Sequence, residues 1–194
     1  MILGITGGTG CGKTPLLSCI QEQGGLVLDC DAIYHDLLKT DREMLAKIDA
    51  RFPGTVTEGV LDRKQLGAVV FSDEKALLDL NAITHTAVKR EIRRRLKDHP
   101  GLAAIDAIAL FEGGLAELCD VTVAVTAPEE ARIQRLMIRD RIDRDYAQRR
   151  VNAQKSADWF REKCDYVLVN DGTQAQFHSA CLAFLRKLGI IEER

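Results

Sequence analysis

The chain has 194 residues and a mass of 21.5 kDa, with 46% hydrophobic and 29% charged residues, a composition that excludes a disordered or low-complexity chain. Lys and Arg number 27 against 29 Asp and Glu, a formal charge of −2, so no basic balance points to nucleic acid or an anionic membrane surface. Aromatics at 5% are thin for a base-stacking platform, and apolar runs such as Ala107–Phe111 are far too short to span a bilayer. A chain of this size is expected to form one compact unit whose core needs no disulfide staples.

Ile2–Thr6 is an apolar, β-branched run that ends at glycines, which predicts a buried parallel strand. Lys13–Gln23 carries Leu16, Leu17 and Ile20 at helical spacing and stops at Gly24-Gly25, a good C-cap. Leu26–Leu28 predicts a second strand ending at Asp29, and Asp31 can N-cap a helix through Leu38. From about 40 to 100 the chain is helical and polar, with loops marked by Pro53-Gly54 and Glu58-Gly59. Within it, Asp73–Lys97 shows an amphipathic stripe through Leu77, Leu80, Thr84, Val88, Ile92 and Leu96. This segment reads as a helical insertion between strands two and three. Strands resume at Leu102–Ala107, Val121–Val125 and Tyr166–Val169, with helices at Pro128–Arg139, Asp143–Ser156 and Thr173–Leu188. Strands alternating with helices predict an α/β fold, a five-stranded parallel sheet flanked by helices with right-handed crossovers.

The six cysteines, Cys11, Cys19, Cys30, Cys119, Cys164 and Cys181, form no Cys-x-x-Cys pair and match no zinc or disulfide spacing. They read as reduced thiols. Met1-Ile2-Leu3-Gly4 carries no charged leader, so a cytoplasmic protein is expected.

Gly7-Gly8-Thr9-Gly10-Cys11-Gly12-Lys13-Thr14 matches G-x-x-x-x-G-K-[ST] between a predicted strand and a predicted helix, the context this phosphate-binding loop requires. Glycines free the backbone to turn several N–H groups inward, and the helix N-terminus adds partial positive charge. Lys13 is placed to neutralise the β/γ oxygens and the Thr14 hydroxyl to ligate Mg²⁺. The expected ATP-binding residues are thus Gly8, Gly10, Cys11, Gly12, Lys13, Thr14 and Pro15. Cys11, at a helix N-terminus beside Lys13, is expected to favour its thiolate; the alternative is an inert thiol tucked under the loop. Pro15 falls in the first helical turn, which tolerates it, but it lacks the N–H and hydroxyl this position ordinarily offers an α-phosphate. No Asn is followed by Lys, so the Asn-Lys-x-Asp guanine signature of GTPases is missing. The small size and the insertion favour a small-molecule kinase.

An ordered series follows the loop: Leu28–His35, Gly59-Val60-Leu61-Asp62-Arg63, Leu80–His85, Leu110-Phe111-Glu112, Arg135–Asp140, Ala153-Gln154 and Asp165–Gly172. In order and spacing, across nearly the whole chain, it resembles the dephospho-CoA kinase family. The resemblance implies ATP-dependent phosphorylation of the ribose 3′-hydroxyl of dephospho-CoA, the last step of coenzyme A biosynthesis. It also implies a nucleotide-monophosphate-kinase-like core, a CoA-binding region at about 40–100 and a mobile lid at about 139–150. Three positions depart from the family pattern: Pro15, Ala107-Ile108-Ala109-Leu110, and Thr86 after His85. None removes a charged catalytic group.

By this resemblance, Asp31 accepts or orients the 3′-hydroxyl proton, and Arg139 is the lid arginine that closes on the transferring phosphoryl group beside Arg135. Asn81 and His85 face dephospho-CoA, four residues apart on one helical face. Phe111 and Glu112 line the acceptor pocket, and Asn170 and Gly172 lie in the loop that holds adenine. Arg63 either caps its helix or binds a substrate phosphate. Asp106 ends an apolar strand, either as a carboxylate that holds Mg²⁺ through water or as a polar strand-end residue; Asp29 reads as structural or as an outer Mg²⁺ group. The expected partners are ATP and dephospho-CoA alone, with no nucleic acid or membrane, and a monomer is the default state. A kinase of another small acceptor and a nucleotide-binding protein without transferase activity are the remaining alternatives.

Overall fold

The computed structural model describes residues 1–192. The first half runs β1 (Ile2–Thr6), α1 (Thr14–Glu22), β2 (Leu26–Asp29), α2 (Cys30–Thr40), α3 (Arg42–Arg51), β3 (Val56–Thr57), β4 (Val60–Leu61), α4 (Arg63–Val70) and α5 (Glu74–Lys97). The second half runs β5 (Ala103–Asp106), β6 (Val121–Thr126), α6 (Glu129–Asp140), α7 (Arg144–Asn152), α8 (Ala157–Lys163), β7 (Tyr166–Val169) and α9 (Gln174–Lys187). Five strands form one parallel sheet in the order β2-β5-β1-β6-β7. The expected five-stranded parallel α/β sheet is therefore present.

Side chains alternate across the sheet and feed two cores. On one face, Leu28 and Ile105 join Ile33, Ile48, Ile92 and Leu110, so the insertion packs directly onto the sheet. On the other, Leu3, Ile5 and Val123 meet Leu16, Ile20 and Phe184 of α1 and α9. A third, small cluster of Ile133, Leu136, Ala147 and Val151 holds α6 to α7.

Three local expectations change. The N-cap of α2 is Asp29 and not Asp31: its Oδ1 accepts from the Asp31 and Ala32 N–H groups at 2.9 and 3.0 Å. Asp31 stands one residue inside the helix, which leaves its carboxylate free of a capping bond. The insertion is not wholly helical, because β3 and β4 form a hairpin. Its turn residues Glu58 and Gly59 have φ of 53° and 79°, and two positive-φ residues match the twist of a tight hairpin. The helix expected over 143–156 ends early, at Asn152, and an additional helix, α8, follows it, started by Ser156, whose hydroxyl accepts from Trp159 N–H at 3.1 Å.

The end of α1 matches the expected glycine cap. Gly24 has φ of 76°, its N–H donates to Gln21 O, and Gly25 N–H donates to Ile20 O, a paired closing motif. A Cβ at Gly24 would meet nothing within 4 Å, so substitution there tests backbone strain alone. Gly24→Ala should lower stability by about 1–2 kcal/mol, the cost of a left-handed L-residue. The measurement is the urea midpoint at unchanged slope.

Candidate active site

The loop from Gly7 to Lys13 turns at the carboxyl end of β1, where ligands bind in open α/β sheets. Gly7 has φ of 139°, and a Cβ there would stand 2.2 Å from Val125 O, so only glycine fits. Gly10 and Gly12 also have positive φ. The N–H groups of Gly10, Gly12, Lys13 and Thr14 have no acceptor among the described residues. Convergent free N–H groups at the start of α1 suit an anion. Lys13 Nζ lies 3.5 Å from both Gly7 O and Asp106 Oδ1. Pro15 sits in the first turn of α1, and Leu16 N–H closes onto Lys13 O at 3.0 Å, so the helix starts normally.

Of the two readings of Cys11, the structure favours the inert thiol tucked under the loop. It is 3% exposed under the loop. Burial pushes its thiol up, and the nearby Arg132 and Lys13 charges oppose this only in part. All six cysteines are free thiols.

Asp29 and Asp106 end the paired strands β2 and β5 side by side. Asp31 follows within one turn of α2. Burial pushes the Asp106 carboxyl up; Asp29 and Asp31 add repulsion and Lys13 opposes it. Thr14, Asp29, Asp31 and Asp106 line one cleft of about 570 Å³ with Lys13. Hard oxygens are the donors a divalent cation such as Mg²⁺ takes, but the oxygens of Asp29, Asp31 and Asp106 do not all lie within 4.8 Å of one another, so the three carboxylates do not by themselves make a closed cation site. The opposite wall is cationic: Arg135, Arg139 and Arg150 line it.

Arg132, Arg135 and Arg139 fall on one face of α6 and turn toward the loop. Arg135 donates to Gly10 O and Cys11 O at 3.1 and 3.2 Å, and to Asn170 Oδ1 at 3.3 Å. Arg139 reaches Thr9 Oγ1 at 3.5 Å and pairs with Asp140 at 2.7 Å. Arg150 of α7 binds the same Asp140. The two guanidiniums, Arg139 first, pull the Asp140 carboxyl down to about 2. Arg132 and Arg150 were not singled out from sequence. The 132/135/139 spacing is the signal that could have found the first; nothing local marks the second.

A second cavity of about 220 Å³ adjoins the cleft. Asn81, Thr84 and His85 of α5, Cys30 and Tyr34 of α2, and Ala107–Ala109 line it. Asp31 and Ile108 line both spaces. Phe111 and Glu112 stand apart from it: Phe111 packs edge-on against Trp159 at 5.5 Å, and Glu112 lies 4.0 Å from Lys155. Arg63 lies in a separate depression with His35 and Lys39, and the cap of its helix is Asp62. Asn170 is 6% exposed and donates to Cys11 O at 2.9 Å, bracing the loop from β7. Gly172 lines a shallow hollow with Asp171 and Gln176. Among the described residues no helix is long and apolar enough to cross a membrane.

The model of the dephospho-CoA kinase family matches residues 1–176. A dephospho-CoA kinase of Syntrophotalea carbinolica is 34% identical over 97% of this chain and 92% of its own. A crystal structure of a Thermus thermophilus protein superposes with a TM-score of 0.80, at 32% identity and 97% coverage of both chains. The dephospho-CoA kinase of Campylobacter jejuni, 23% identical with 96% of each chain covered, shares the fold at a TM-score of 0.70. With a phosphate loop, a carboxylate cluster and a facing arginine helix on a P-loop kinase sheet, this chain belongs to the dephospho-CoA kinase family.

Proposed function

We propose that this protein transfers the γ-phosphoryl group of ATP to the ribose 3′-hydroxyl of dephospho-CoA, giving CoA and ADP. The observation that carries the reading is Asp31, which lines both the phosphate cleft and the cavity walled by α5. A carboxylate there faces an acceptor hydroxyl on one side and the γ-phosphate on the other. It holds the hydroxyl in line and takes its proton as the new P–O bond forms. In a loose transition state, positioning contributes more than proton removal.

The free loop N–H groups and Lys13 hold the β and γ phosphates, and Lys13 offsets charge that moves toward the leaving ADP oxygen. Thr14, with Asp29 and Asp106 beside it, would hold Mg²⁺, which would supply positive charge to offset that of the phosphates. Arg139 contributes positive charge to the transferring group. Segment 139–150 acts as the lid, moving with the α6–α7 pair to expel water. Asn81 and His85 recognise dephospho-CoA from α5. Asn170 and Gly172 serve the adenine end through the loop after β7. Arg63, Phe111 and Glu112 lie outside the acceptor cavity, so contacts from them reach the more distant parts of dephospho-CoA. The protein works on small molecules alone, as a cytoplasmic monomer.

The direct test is ADP release with and without dephospho-CoA. Release that depends on dephospho-CoA supports the reading; release that needs another acceptor, or none, overturns it. Asp31→Asn keeps the side-chain shape but removes the base, and kcat should fall ~10²–10⁴-fold. Affinity for ATP should change little. A variant within threefold of the parent in steady-state kinetics would remove Asp31 from the chemistry.

Pro15→Thr restores the N–H and hydroxyl at the α-phosphate. A hydrogen bond to a charged group is worth ~1.5–3 kcal/mol, or about ten- to a hundredfold in affinity. The α-phosphate keeps its charge through γ-transfer, so the gain is uniform binding. KM for ATP should fall by up to that factor with kcat within a few-fold.

A further inference from the structure

We propose that Arg132 and Gln154 are positioning residues that hold the Thr9 peptides of the phosphate loop and so tie loop geometry to the α6–α7 helix pair. The proposal extends the nucleotide-binding part of the reading above. Thr9 is held at three atoms. Its N–H donates to Gln154 Oε1 at 2.6 Å, its carbonyl accepts from Arg132 Nε at 3.0 Å, and its hydroxyl lies 3.5 Å from Arg139. Arg132 also donates to Gln154 Oε1 at 2.8 Å, so that one amide oxygen accepts two bonds, its full capacity. Arg132 and Arg139 belong to α6, and Gln154 follows the end of α7.

Arg132 and Gln154 do not line the phosphate cleft. They line a separate cavity of about 510 Å³ between α6, the end of α7 and the loop after β7. Neither therefore touches phosphate; any effect on the nucleotide must pass through the loop. The packing shows why the effect should be large. A Cβ at Gly8 would stand 2.3 Å from the Arg132 guanidinium, and one at Gly10 would stand 2.8 Å from Arg132 O. The loop pays for this close approach with two glycines, which make the peptides on either side of Thr9 free to rotate. A flipped peptide would aim a carbonyl at the phosphate anion. Binding the Thr9 N–H and C=O from behind keeps these two peptides in one orientation and leaves the N–H groups of Gly10, Gly12 and Lys13 aimed at the ligand.

The α6–α7 pair has its own apolar cluster of Ile133, Leu136, Ala147 and Val151, so the two helices shift as one piece. A shift of that piece pulls on Thr9. Nucleotide in the loop and the position of the helix pair are then coupled reciprocally.

The test uses Gln154→Met, which has similar length and no acceptor oxygen, and Gln154→Glu, which keeps an oxygen for both donors. Affinity is read by titration calorimetry with MgADP on the full chain, which does not depend on the identity of the acceptor. Gln154→Met should weaken MgADP about tenfold, the loss expected of about one neutral hydrogen bond. Gln154→Glu should stay within about threefold of the parent. Combining Gln154→Met with Arg132→Ala should be no worse than the weaker-binding single variant, because both changes break one unit. In turnover assays, KM for ATP should rise while KM for the acceptor stays within twofold. Unchanged MgADP affinity in Gln154→Met, equal loss in Gln154→Glu, or full additivity with Arg132→Ala would each overturn the proposal. Failure of dephospho-CoA to support ADP release would instead strike the acceptor assignment and leave the calorimetric result standing.

Discussion

The architecture depends on how closely the backbone after β1 approaches its neighbours. Gly7 presses on Val125 O of β6, and Gly10 presses on the backbone of α6 at Arg132. No side chain larger than hydrogen fits either contact. These approaches bring the arginine face of α6 within hydrogen-bond reach of the loop, where it takes up carbonyls of Thr9, Gly10 and Cys11. With carbonyls engaged on that side, the free N–H groups converge on the other. An anion site made of backbone follows from where bulk is missing.

Around the loop, two walls differ in how they are anchored. The cavity of about 220 Å³ is walled by α2 and α5, whose apolar faces merge with the sheet in one continuous core. Its shape is therefore as fixed as the sheet itself. The arginine wall belongs to α6 and α7, which share only a small apolar cluster with each other and reach the loop through polar contacts. Regions with few buried apolar contacts open at lower free-energy cost. On the proposed reading, the fixed wall suits recognition and the loosely anchored one suits movement.

Legibility in the sequence followed the range of the interactions. The strand–loop–helix unit from Ile2 to Glu22 was readable because its signals are contiguous: β-branched residues, spaced glycines, Lys13, and Gly24 at the close. The stripe along α5 was readable for the same reason. Asp29 displaced Asp31 as the N-cap because two aspartates flank one helix start and only strand length decides between them. The hairpin at Glu58-Gly59 was hidden by strands of two residues each, too short for any alternation to register. The break between α7 and α8 carries no glycine or proline, only a serine. Sequence left two readings of Cys11 open because its helix terminus and Lys13 are local features, whereas the burial that dominates its thiol comes from distant parts of the chain. Gln154 was legible only as a member of the family series and not by its contact, since its partner Thr9 lies 145 residues away; Arg150 meets Asp140 across the turn between two helices, which no local pattern marks.

The carboxylates at the ends of β2 and β5 have a consequence for the folded state itself. Asp106 is half-buried beside Asp29 and Asp31, with Lys13 as its nearest countercharge. Like charges held together disfavour the ionised native state at neutral pH, so this corner works against folding. On the proposed reading a nucleotide would bind only the assembled corner, and mass action would then return stability that grows with the logarithm of its free concentration above the dissociation constant. The resistance of this chain to unfolding would then be partly a property of its surroundings, declining as free nucleotide falls.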